Sequence, residues 1–123
     1  MPKQGSGTIL LVEDEPLLRE LGETILRQAG YTVITVADSK GLQAMVREYP
    51  GNVDLLLSDV VMPDASGPAL VRIAKERWPE ARVLYMSGYS DSELKDLEKD
   101  ADFLQKPFTP SELTSKIAEI LRK

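Results

Sequence analysis

Cysteine and histidine are both missing from this 123-residue chain. Without cysteine there is no disulfide, no thiolate metal site and no thiol nucleophile. Without histidine there is no imidazole base and no zinc site of the usual type, and the chain cannot itself carry a phosphohistidine. Basic residues are outnumbered, 15 Lys and Arg against 20 Asp and Glu, for a net charge of −5. That balance argues against direct nucleic-acid binding, which needs a basic face. No apolar run approaches the roughly 18 residues of a membrane span, and no signal-peptide pattern opens the chain. A cytoplasmic location without membrane contact is the expectation.

What is present is an ordinary globular composition, 42% hydrophobic and 28% charged. The length suits one domain that buries roughly two-thirds of its unfolded surface. Residues 1–7 (MPKQGSG) are small, polar and glycine-rich, and read as a flexible tail or linker; 8–123 read as the domain.

Apolar runs alternate with segments of helical period. A strand at 8–12 leads through Glu13-Asp14-Glu15-Pro16 into a helix carrying Leu17, Leu18, Leu21, Ile25 and Leu26, and Gly30 stops it. Strands are expected at 31–36, 53–58, 82–86 and 102–105. Helices are expected at 39–48, with Leu42, Met45 and Val46 inward, and from Gly67 to Arg77, with Leu70, Val71 and Ala74 inward. Ser90-Asp91-Ser92-Glu93 and Thr109-Pro110-Ser111-Glu112 both have capping-box spacing. The first announces a short helix, the second a final helix bearing Leu113, Ile117, Ile120 and Leu121. Strand–helix alternation of this kind argues for a parallel sheet with helices on both faces. The flavodoxin-like (βα)5 order 2-1-3-4-5 puts the first strand beside the third, with a ligand crevice at their carboxyl ends.

Three strands end in polar groups suited to such a crevice. The first runs into Glu13-Asp14, the third into Asp59, and the fifth into Lys106-Pro107; Ser87 ends the fourth. Two carboxylates about 5 Å apart repel by roughly 3 kcal/mol at an effective dielectric near 20. Three together call for a cation or a proton. An open all-oxygen site fits Mg²⁺, and Lys106 adds a point charge beside Asp59. These are parts for phosphoryl transfer onto an aspartate.

In these features the chain resembles a response-regulator receiver domain, from Thr8 to Lys123. Glu13-Asp14 resembles the family's acidic pair, Asp59 its phosphoacceptor, Ser87 its switch hydroxyl, Phe103 its switch aromatic and Lys106-Pro107-Phe108 its Lys-Pro-aromatic turn. Met62-Pro63 and Gly67 match the loop after the phosphoacceptor, and the stretches 86–89 and 103–108 look most like receivers of hybrid histidine kinases.

The resemblance implies Mg²⁺ held by Asp14, Asp59, the backbone carbonyl of Val61 and, directly or through water, Glu13. It implies phosphotransfer from a phosphohistidine on a histidine kinase or histidine phosphotransfer domain, with Ser87 and Phe103 as the switch and a cis peptide before Pro107. A homodimer is compatible with it. The output would be conformational, not enzymatic, and would lie in a partner effector or in a parent chain such as a hybrid kinase. The family's acidic pair is more often Asp-Asp, and the segment between Ser87 and Lys106 is shorter than usual, so a short or displaced fourth helix is expected. Val61 and Tyr89 offer no acid or amide to orient a water, which predicts slow self-hydrolysis.

Rival readings are poorer. A dehalogenase-like phosphohydrolase would carry a second Asp two residues after the nucleophile, where Val61 stands, and a flavin module would need a hydroxyl-rich loop after the first strand. A degenerate receiver acting only in protein interaction is the remaining alternative.

Overall fold

The computed structural model describes residues 7–62, 64–88 and 101–122. In chain order the elements are β1 (Thr8–Val12), α1 (Pro16–Gln28), β2 (Thr32–Val36), α2 (Ser39–Glu48), β3 (Leu55–Asp59), α3 (Gly67–Arg77), β4 (Arg82–Ser87), β5 (Asp102–Gln105) and α4 (Pro110–Leu121). The five strands form one parallel sheet in the order β2-β1-β3-β4-β5, as the alternating pattern predicts. The helix expected from Ser90 lies outside the described residues.

Strand periodicity sorts the core onto two faces. Ile9, Leu11, Leu55, Leu57 and Leu84 pack with Leu26 of α1 and with Leu113, Ile117 and Ile120 of α4. Leu10, Val12 and Leu56 face the other way, onto Leu42 of α2, Leu70 and Ala74 of α3, and Trp78 just after α3. Because both faces are covered, β1 and β3 read as continuous apolar runs with no polar alternation.

Helix starts follow local chemistry. Asp38 caps α2 by accepting from the Gly41 N–H at 2.8 Å, and Ser66 caps α3 through Ala69. The capping box at α4 is complete: Thr109 Oγ1 accepts from the Glu112 N–H at 3.0 Å, and Glu112 accepts from the Thr109 N–H at 2.7 Å. Gly30, at φ 104°, ends α1 in a conformation open to glycine.

One expected boundary needs correction. The third strand runs from Leu55 to Asp59, so the aspartate is the last strand residue, not the first loop residue, and Val53-Asp54 precede the strand. Leu17, Leu18 and Leu21 do not join the core; they are 75%, 45% and 55% exposed, and only Leu26 of α1 is fully buried.

Candidate functional site

Register alone brings the acids together. Val12 pairs with Ser58 across β1 and β3, so the next residues, Glu13 and Asp59, stand level on adjacent strands. Asp59 pairs with Met86, which places Ser87 one step further along β4, and Ser87 pairs with Gln105, the residue before Lys106. Glu13, Asp59 and Ser87 are all buried, whereas Asp14 is exposed at the mouth. They line an open cleft of about 440 Å³ whose walls also include Leu18, Val61, Met86 and Lys106.

Lys106 Nζ lies 2.6 Å from Asp59 Oδ1 and 3.5 Å from Glu13 Oε1. Burial opposes the lysine's charge. The hydrogen bond and charge of Asp59, with Glu13 behind them, more than offset that and hold its pKa above the ordinary lysine value. Glu13 goes the other way: burial first, and the neighbouring Asp59 charge second, push its carboxyl from 4.5 up to about 7. The Glu15 N–H, donating to Glu13 Oε2 at 3.2 Å, and Lys106 only partly counter this. One oxygen each from Glu13, Asp14 and Asp59 lies within 4.8 Å of the others. Such a converging set of hard oxygens fits a divalent cation that keeps several waters.

The loop after Asp59 is held tightly. The Val60 N–H donates to Met86 O at 3.0 Å, the Gly67 N–H to Val60 O at 2.6 Å, and Val61 bridges Ser66. A β-carbon on Gly67 would collide with the Asp59 carbonyl oxygen, so the close return of α3 onto β3 requires glycine there. The Lys106–Pro107 peptide is cis. Phe103 is half-buried on the edge strand, opposite Tyr85, and does not line the cleft.

The structure therefore gathers Glu13, Asp14, Asp59, Val61, Ser87 and Lys106 around one cleft and leaves Phe103 on its flank. Sequence reading missed Arg19, whose guanidinium donates to Glu13 O at 2.9 Å and lies 3.5 Å from Asp14 O. It also missed Leu18, an exposed leucine on the cleft wall. No residue-type signal marks Arg19, because its partners are backbone carbonyls.

A doubly wound parallel sheet in the 2-1-3-4-5 order, with an acidic trio and a paired lysine at its switch point, defines a flavodoxin-like α/β class. Within that class the match is specific: residues 9–118 fit the family model described as the response regulator receiver domain, and the chain belongs to that family. It is 39% identical over 122 residues to the sensor kinase CckA of Brucella abortus (strain 2308), covering 97% of this chain but 13% of that protein. It is 33% identical over 116 residues to the response regulator receiver protein CpdR of the same organism, covering 92% of this chain and 95% of that one. Among solved structures, the receiver domain of the hybrid histidine kinase CckA superposes with a TM-score of 0.80 at 36% identity, over 94% of this chain and 99% of that domain. The chain is thus a receiver domain of two-component signalling, similar to those of hybrid kinases. Among the described residues no helix is long and apolar enough to cross a membrane.

Proposed function

We propose that Asp59 accepts a phosphoryl group from a phosphohistidine on a histidine kinase or histidine phosphotransfer domain, and that the product changes the surface the domain presents. The observation that carries this reading is the 2.6 Å pair between Lys106 and Asp59, set in a cleft with two further acids within ligand distance. A carboxylate ion-paired to a lysine at the end of a rigid strand is aimed and desolvated, which suits it to in-line attack.

Asp59 supplies the oxygen that forms the new bond to phosphorus while the donor's N–P bond breaks and its electron pair returns to the imidazole. Lys106 then exchanges its contact with the carboxylate for one with a phosphoryl oxygen. Asp14, Asp59, the Val61 carbonyl and, directly or through water, Glu13 would hold Mg²⁺, which offsets negative charge on the transferring group. Ser87, buried at the end of β4, would hydrogen-bond the phosphoryl group, and its movement would free space for Phe103 on the neighbouring strand. Leu18 and Val61, both exposed on the cleft wall, would give the donor apolar surface to cover, which would exclude water during transfer.

The test is incubation with acetyl phosphate and Mg²⁺, read by intact-protein mass. Wild type should gain one phosphoryl group and Asp59→Asn none. A gain that persists in Asp59→Asn would rule the assignment out. A receiver acting only as an interaction module would gain nothing in either form.

A further inference from the structure

Arg19 stands where a helix least favours a cation. It lies one turn from the N-terminus of α1, near the positive end of the helix dipole, and the first turn of that helix contains no acid to balance it. Its main chain begins the helix, since the Arg19 N–H donates to Glu15 O at 2.9 Å. Its side chain does not turn away to solvent. It folds back over the three-residue β1–α1 loop, with one terminal nitrogen 2.9 Å from Glu13 O and 3.5 Å from Asp14 O.

The two acids differ in how they are held. Glu13 is fixed at every polar atom: its N–H donates to Val36 O, its carboxylate accepts from Glu15 and Lys106, and its carbonyl accepts from Arg19. Asp14 is exposed, and its carboxylate makes no hydrogen bond to any described residue. Its place beside Glu13 and Asp59 depends on the backbone from which it projects, and that backbone carries the longer of the two contacts made by the Arg19 nitrogen. A single guanidinium nitrogen carries two N–H donors, so it can serve two neighbouring carbonyls at once.

We infer that Arg19 is a positioning residue of the phosphoacceptor site: by gripping the carbonyls of Glu13 and Asp14, it sets the loop from which their carboxylates converge on Asp59. The inference rests on the proposed reading of that trio as a cation site. It does not require Arg19 to touch the cation or the phosphoryl group.

The sign of one measurement separates this role from simpler ones. If Arg19 acted only as a nearby charge, removing it would tighten Mg²⁺ binding, because a cation repels a cation. If it were only structural, Arg19→Ala would lower the melting temperature and leave affinity alone. As a tether, its loss should weaken binding by about tenfold, in the range found when groups that orient metal ligands are removed. Arg19→Lys keeps the charge on a side chain one atom shorter, and should fall between wild type and Arg19→Ala.

The experiment is Mg²⁺ titration by calorimetry on wild type, Arg19→Ala and Arg19→Lys, with thermal unfolding of each in EDTA to confirm that all are folded. Equal or tighter binding by Arg19→Ala overturns the tether. Acetyl phosphate labelling of wild type in parallel keeps the two ideas apart. Labelling with unchanged Mg²⁺ affinities sinks the tether alone. Weakened variants without wild-type labelling sink the phosphoacceptor reading alone. A wild type that binds no Mg²⁺ sinks both.

Discussion

The two ends of the sheet both use aspartate, to opposite effect. At the amino edge, Asp54 sits just before β3, and its carboxylate accepts from the Thr8 N–H at 2.8 Å and from Asn52 at 3.3 Å, while its main chain bonds Thr8 and Arg82. That acid is a clip joining the starts of three strands. Nearby, Trp78 is buried and donates to Gly51 O at 3.1 Å, with Tyr49 edge-on and Arg77 over its ring. At the carboxyl edge, Asp59 meets a lysine and two more acids across an open cleft. An acid answered by backbone N–H groups holds structure. Acids that face one another, with one lysine among them, form the site proposed to take a cation and a phosphoryl group. Under that proposal the same residue type at two ends of one strand does two jobs, and partners decide which.

Substitutions at the two ends should separate accordingly. The largest effect is expected for Lys106→Met. Losing the donor beside Asp59 should slow labelling by acetyl phosphate by about a hundredfold, the scale of removing one preorganised charge-stabilising donor. Labelling within a few-fold of wild type would mean the pair at the carboxyl edge is no more functional than the clip at the other.

Next comes the pH dependence of the metal-free domain. Glu13 binds its proton more tightly folded (about 7) than at the ordinary value of 4.5. Its contribution against folding is therefore absent below about pH 4.5, grows as the pH rises, and is complete above about 7. Stability in EDTA should decline across that window, and Glu13→Gln should flatten the decline and raise the melting temperature at pH 8. A wild-type curve that climbs from pH 5 to 7 and is unaltered by Glu13→Gln would contradict the placement of this buried acid.

The smallest effect is expected at the amino edge. Asp54→Ala should cost about 1 kcal/mol in urea unfolding, the net worth of its lost hydrogen bonds, and leave labelling of Asp59 unchanged. A labelling defect there would show that the two ends are coupled through β3.

Much of this was legible beforehand. Leu55, Leu56 and Leu57, buried on both faces, announce an interior parallel strand, and the capping box at Thr109–Glu112 marks the last helix to the residue. Asp59, Lys106 and the acidic pair were found because each ends an apolar run. The exposure of the leucines of α1 was not legible, because helical spacing shows which residues share a stripe and not which part of the stripe is covered, and Leu17, Leu18 and Leu21 are left exposed.

What the chain by itself determined is the order of strands and helices, which residues line the two faces of the sheet, and which polar side chains stand at strand ends. These follow from period and local chemistry, both written along the chain. Only the tertiary structure decided that Glu13 lies buried beside Asp59, with its carboxyl pushed to about 7, that Lys106 closes to 2.6 Å, and that Arg19 grips two carbonyls of the acidic loop. Burial, charge–charge contact and backbone partners arise between residues up to 93 positions apart, as with Lys106 and Glu13, and the linear order of residues does not contain them.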